Sequence, residues 1–402
     1  AAVETGNRCG QKAGPAGQSS ARAARKGAHF GTMPNITDYL NRYGDVPLSR
    51  FPLSEIDGYL LCKLGCPDYT DVVPPKGEIL LPEAVDRYFM AQPEARLGLL
   101  SSPMILPAIR QLARLPRFRS LKLCDYVNRV DEDRNEQFSA LTVLLPDGTR
   151  LVTYRGTDDT LAAWREDFLL GVEDEIPAQR DAARYLLEEA SANGGALLVG
   201  GHSKGGNLAV YAALSAPGPV QNRIETVYNF DGPGFRQDRS VTPAYLRIRP
   251  KLRTILSQHA IVGRLLYHET RCTIVKSSLP GIAAHDGFHW ETEDARFLRC
   301  REFAPASNAF ETAMQELAES MSPERRMSFL SELFSVFSAT GAVTLLDLTD
   351  KRLRNSVLLA KQMHKSREVH QFIHQLAFLM LRETAADARG TAERKPVKPT
   401  KK

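Results

Sequence analysis

A short apolar run, Ala196-Leu197-Leu198-Val199-Gly200, leads directly into Gly201-His202-Ser203-Lys204-Gly205. An Ala-rich stretch follows, Gly206-Asn207-Leu208-Ala209-Val210-Tyr211-Ala212-Ala213. The first reads as a buried strand and the last as the start of a helix. Between them the chain must reverse within a few residues, and small residues flank the serine where the turn is tightest. Strand, Gly-flanked turn and helix together are the context of a nucleophile elbow, which lifts a serine hydroxyl above the end of a sheet. A bare Gly-x-Ser-x-Gly is common in loops, so the flanks carry the weight.

The segments around the elbow fit the same architecture. Phe138 to Leu145, then Pro146-Asp147-Gly148, then Arg150 to Tyr154 marks a hairpin. Residues 176–192 form an amphipathic helix, with Pro177 in its first turn and Gly194-Gly195 after its end. Further strands are expected at Thr226–Phe230, Leu252–Leu256 and Cys272–Lys276. Strands alternating with helices imply an α/β fold with a mostly parallel sheet and flanking helices. Residues 33–125 look mixed and mainly helical, with helices at Ile36, over Glu55 to Leu64 and over Leu106 to Leu115, and a loop at Pro74 to Gly77. The β signal stops near residue 300. Beyond it, Asn308 with Glu311 suggests a cap, Ser322-Pro323 starts another helix, and Val357 to Leu381 is strongly helical. The Phe and Met stripe of this last segment reads as core packing. The expected organisation is an N-terminal extension (1–32), an α/β domain (33–300), a helical region (301–385) and a basic tail (386–402).

A serine hydroxyl is a weak nucleophile at neutral pH. It needs a base within hydrogen-bond reach, a group that orients the base, and donors for the oxyanion. Where the serine sits on such an elbow, the acid and then the histidine follow it in sequence. Asp231 leaves the strand after the elbow helix, in Asp231-Gly232-Pro233-Gly234. Ligands of open α/β sheets bind outside those carboxyl ends. Turn capping is the competing reading of Asp231. The end of the next strand, Ser257-Gln258-His259-Ala260, offers no carboxylate. Of the histidines after Asp231 (His259, His268, His285 and His289), His285 is best placed, in the loop after the last apolar strand, with His289 as runner-up. Asp286 is adjacent to His285 and poorly placed to orient it. The oxyanion donors are expected from the Lys204 N–H and from Thr157, at the strand end Tyr154-Arg155-Gly156-Thr157. A plain Gly-Thr turn is the alternative for Thr157.

Charge and cysteine content exclude several other classes. The formal net charge of +5 is concentrated in the tails: residues 1–32 carry +4 and 388–402 carry +5, which leaves 33–387 at −4. A mildly acidic core argues against nucleic-acid binding there, and the tails read as solvated and disordered. Six cysteines are scattered, and no set of them with histidine has zinc spacing, so no metal and no cofactor is expected. Reduced thiols in a cytoplasmic protein are the expectation for a chain of this length. No signal peptide is visible, and Met33-Pro34 looks like a start, with the preceding segment an upstream extension. Near the C-terminus the longest uncharged stretch, between Glu332 and Asp347, holds 14 residues, too few for a transmembrane segment of about 20.

These residues together resemble the lipase class 3 branch of the α/β-hydrolases. Tyr154-Arg155-Gly156-Thr157, Trp164 and Asp167 match its oxyanion strand end, and Gly201 to Gly206 match its elbow, with Lys204 where Leu is usual. More narrowly, the chain is similar to a bacterial Mbeg-like family through Arg155 to Thr160, Gly200 to Ala209, Tyr228 to Phe235 and Ile261-Val262-Gly263. The resemblance covers roughly residues 33–380. It implies the α/β-hydrolase fold and a serine hydrolase activity without defining the substrate. Fungal-type members carry their acid after the following strand, where this chain has His259-Ala260; Asp231 instead matches the strand end used by pancreatic-type lipases.

The resulting expectation is a carboxylic-ester hydrolase acting on a small-molecule or lipid ester. Ser203 is the nucleophile, His285 the base, Asp231 its orienting acid, and Thr157 with Lys204 the oxyanion donors. A thioesterase or peptidase lies within the same chemistry. A catalytically inactive hydrolase fold serving as an interaction module is the alternative, because fold alone does not give function.

Overall fold

A computed structural model of the chain describes residues 33–338, apart from 75, 99–100, 132–133, 135, 159 and 269–270, together with 371, 374 and 378. In chain order the elements are α1 (Ile36–Tyr43), α2 (Glu55–Lys63), β1 (Glu78–Leu80), α3 (Leu81–Ala91), α4 (Ile105–Leu112), β2 (Lys122–Asp131), β3 (Glu136–Leu144), β4 (Arg150–Tyr154), α5 (Leu161–Leu169) and α6 (Pro177–Ala192). Then come β5 (Leu197–His202), α7 (Lys204–Ser215), α8 (Gly218–Arg223), β6 (Ile224–Phe230), α9 (Pro243–Ile248), β7 (Leu252–Ser257), β8 (Thr273–Val275), α10 (Pro305–Ser320) and α11 (Pro323–Ser338).

The eight strands form one sheet in sequential order, β1 to β8. Pairings from β1 to β4 are antiparallel, and those from β4 to β8 are parallel. The expected hairpin is β3 and β4, closed by Gly148 at φ +84° with Thr149 N–H donating to the Asp147 carboxylate.

Side chains alternate between two cores, as strand geometry requires. Leu151, Leu198 and Tyr228 point into one, with the buried residues of α1 to α4. Their neighbours Val152, Val199 and Val227 point into the other, with α6, α7 and α9. The helices of residues 33–125 are therefore one covering layer of the sheet, and α2 packs against β4, β5 and β6. Local signals set the helix starts. Ser54 caps α2 by accepting from Asp57 N–H, and the Asp57 carboxylate returns to Ser54 N–H.

Two expectations need correction. Strands begin before the Phe138 hairpin, the first of them within the segment read as mainly helical: β1 and β2 precede it. β2 is polar and carries a bulge between Cys124 and Val127, with Asp125 at φ +56°, so no alternation is left to read. Asn308 is not a cap: α10 begins at Pro305, and the Asn308 side chain accepts from Arg264 inside the helix. The segment from Val357 to Leu381, with its Phe and Met stripe, lies outside the described residues except at 371, 374 and 378. Among the described residues, no helix is long and apolar enough to cross a membrane.

Candidate functional site

Ser203 sits between the last residue of β5 and the first of α7, at φ 59° and ψ −133°. A non-glycine residue there costs about 1–3 kcal/mol of backbone strain. The turn is held by Ser203 N–H donating to the Phe230 carbonyl at 3.0 Å and by Gly206 N–H donating to the Ser203 carbonyl at 2.9 Å. Space dictates the small residues. A Cβ on Gly205 would lie 2.1 Å from the Tyr154 carbonyl oxygen, and one on Gly201 would lie 2.3 Å from Gly205. β4, β5 and the start of α7 can therefore close up only with glycine at these positions.

Asp231 follows β6, the strand next to β5, and it too has positive φ, 50°. It is fully buried. One carboxylate oxygen, Oδ2, accepts from His285 Nδ1 at 2.7 Å, and Oδ1 is buried with no hydrogen-bond partner among the described residues. Two strained residues thus sit at the carboxyl ends of adjacent strands, and the second engages a histidine 54 positions away in sequence. Because the carboxylate only accepts, it fixes the proton on Nδ1 of a neutral His285 and leaves Nε2 with its lone pair. Asp231 is not the turn cap of the competing reading. No hydrogen bond joins Ser203 Oγ to His285 among the described residues.

His285 ends a single turn of tight helix, Gly281–His285, and several groups hold its loop. His202 Nε2 donates to the His285 carbonyl at 2.7 Å, and the two rings lie 4.4 Å apart, tilted by 40°. The Trp290 indole donates to the Ala284 carbonyl at 2.8 Å. Tyr59, fully buried on α2, packs against His202, Phe288 and Trp290. Each such aromatic contact contributes about 0.5–1.5 kcal/mol beyond area burial. Burial, reinforced by the charge of Lys63, holds the His202 ring well below its ordinary pKa, so it stays neutral.

The other histidines are engaged elsewhere. His289 faces Asp286 at 3.7 Å, His259 contacts the Gln258 amide, and His268 faces Glu311. Asp286 accepts from Phe288 N–H and contacts the Tyr59 hydroxyl.

The strand end after β4 runs beside the serine: a Cβ on Gly156 would lie 3.3 Å from Ser203 Cβ. Thr157 follows, and its hydroxyl donates to Asp167 Oδ2 on α5. Burial pushes the Asp167 carboxyl up to about 6, against the opposing effects of Lys204 and the Thr157 hydroxyl. Neither Thr157 N–H nor Lys204 N–H donates to an acceptor among the described residues. As the first residue of α7, Lys204 leaves its N–H free by the geometry of a helix start, where partial positive charge also gathers. The Lys204 side chain is buried and turns inward. Its ammonium donates to Glu166 Oε2 at 2.9 Å, to Gln137 Oε1 at 2.7 Å and to the Gln137 carbonyl at 3.0 Å.

Ser203, Asp231, His285, Thr157 and Lys204 thus meet at one end of the sheet. A hydroxyl, an imidazole oriented by a buried carboxylate and two unengaged backbone donors are the groups that nucleophilic attack on a carbonyl requires. Sequence reasoning missed His202, Tyr59 and the Glu166–Gln137 pair. His202 was legible inside the elbow motif; the others are joined to the site only by folding. Among the described residues, no group of three His, Cys, Asp or Glu could hold a metal ion.

The Mbeg1-like family model matches residues 112–335. That span holds Thr157, Ser203, Asp231 and His285, and leaves Tyr59 outside. No curated protein and no solved structure matches the chain. With more than half of its length matched, the chain belongs to the Mbeg1-like family.

Proposed function

We propose that the chain is a serine hydrolase of the α/β-hydrolase type, acting on carboxylic esters through an acyl-enzyme on Ser203. The observation that carries this reading is the 2.7 Å contact between His285 Nδ1 and the fully buried Asp231, at the strand end next to that of Ser203. The burial cost of a carboxylate with a single partnered oxygen serves no packing need; it serves an imidazole that must hold one tautomer and then accept charge. A fold kept only as an interaction module has no use for that pair.

In this mechanism His285 Nε2 takes the Ser203 proton as Oγ attacks the ester carbonyl. Asp231 stabilises the imidazolium without itself taking the proton. The oxyanion is received by the Thr157 and Lys204 N–H groups, the latter aided by the start of α7. His285 then protonates the departing alcohol, and water attacks the acyl-enzyme by the reverse steps. The substrate is a small-molecule or lipid ester. The test is labelling by a fluorophosphonate probe: wild type labels and Ser203→Ala does not. A wild type that stays unlabelled across neutral and mildly alkaline pH defeats the proposal.

A further inference from the structure

Lys204 contributes to this site twice, through its backbone and through its side chain. Its N–H is unengaged at the start of α7, while its ammonium is buried under the elbow with each proton on an acceptor, two on Gln137 and one on Glu166. Glu166 is fully buried and equally occupied. Oε2 takes Lys204 and Gln137 N–H, and Oε1 takes Ala178 N–H at 2.9 Å. Glu166 lies on α5 immediately before Asp167, the residue that accepts the Thr157 hydroxyl. Each half of the oxyanion pocket is therefore tied to the other through one buried ion pair. α7 presents the Lys204 N–H, α5 holds Thr157, and Lys204–Glu166 joins α7 to α5.

Resting on the hydrolase reading, we propose that the Lys204–Glu166 ion pair is the positioning element of the oxyanion pocket, setting the separation between the Lys204 and Thr157 donors. The side chains touch no substrate; they act through the backbone they hold. A pair that only stabilised the fold would, when altered, lower the melting temperature and leave kcat and boronate affinity of the folded protein unchanged. A positioning pair is not replaceable, because displacement of about an ångström at a reacting group costs about a hundredfold in rate.

The experiment uses the full chain with p-nitrophenyl butyrate as substrate and phenylboronic acid as a tetrahedral mimic. Two variants are compared with wild type: Lys204→Met/Glu166→Leu, which removes both charges, and Glu166→Asp, which keeps the charge and shortens its arm by one methylene. For Glu166→Asp the expected result is a melting temperature within a few degrees of wild type, kcat lower by about tenfold or more, KM within about threefold, and boronate affinity falling in step with kcat; the double variant, which also takes the acceptor from the Gln137 and Ala178 N–H groups, melts lower and shows the same kinetic losses. If the double variant does not fold, Glu166→Asp decides alone. Wild-type kcat and boronate affinity in a folded variant overturn the proposal. Fluorophosphonate labelling of wild type separates the two levels: a labelled wild type with unaffected variants defeats only the positioning role, whereas an unlabelled wild type defeats both.

Discussion

His202 Nε2 donates to the backbone carbonyl of His285 at 2.7 Å, so the residue before the candidate nucleophile holds the loop that carries the candidate base. The acceptor is a carbonyl, which requires the proton on His202 Nε2 and needs no charge on the ring. With Asp231 on His285 Nδ1, the imidazole is fixed from two sides, one through its ring and one through its own backbone.

His202 makes the fold pH-sensitive in a definite direction. Its folded pKa lies below the ordinary 6.5, so the unfolded chain binds more protons in mildly acidic solution. The contribution of the neutral ring is fully present above the unfolded pKa and is lost as pH falls through it toward the depressed folded value. Urea unfolding of wild type and His202→Asn between about pH 7.5 and 5 should show the wild-type advantage shrinking as pH drops. An advantage that grows toward acid would contradict the neutral ring.

Asp231→Asn should fold and fail to turn over. The amide fits the buried site and removes a charge with an unpartnered oxygen, so the melting temperature should not fall by more than a few degrees. It can present an N–H to His285 Nδ1 and so favours the wrong tautomer; kcat for p-nitrophenyl butyrate should drop about 10³–10⁴-fold. Circular dichroism melts and steady-state kinetics check both halves.

Gly205→Ala should destabilise the whole chain by about 3 kcal/mol or more, because the new methyl would sit 2.1 Å from the Tyr154 carbonyl oxygen and neither backbone can give way. A thermal melt measures it. A variant as stable as wild type would mean that β4 and the elbow are not packed as described.

Tyr59→Leu should lower kcat and the fluorophosphonate labelling rate together. The ring packs on His202, Phe288 and Trp290, which hold the His285 loop, and touches none of Ser203, Asp231 or Thr157 by hydrogen bond. Its loss opens a cavity and loosens the base, for about 1–3 kcal/mol of stability. Comparison of labelling rate with ester turnover, read beside a thermal melt, tests this.

The parallel half of the fold was legible because its apolar strands and capped helices follow local rules; β5, β6 and α6 fall where the pattern puts them. β2 was not, since its bulge and its polar residues serve an edge region rather than a buried alternation. Within the site, the elbow and the strand-end loops gave Ser203, Asp231 and His285 because their placement depends on topology that the strand order already implies. Glu166 and Tyr59 stayed hidden for a physical reason. A buried glutamate whose partner is a lysine 38 residues away, and a tyrosine whose aromatic partners at the site begin 143 residues later, carry no local signature.

The most direct measurement is trapping the acyl-enzyme. Mixing the full chain with p-nitrophenyl butyrate, quenching in acid and mapping the peptides by mass spectrometry should show a butyryl group on Ser203, formed with a stoichiometric burst of nitrophenolate and absent from Ser203→Ala. An acyl group found only on another residue, or turnover that Ser203→Ala retains, would contradict the account.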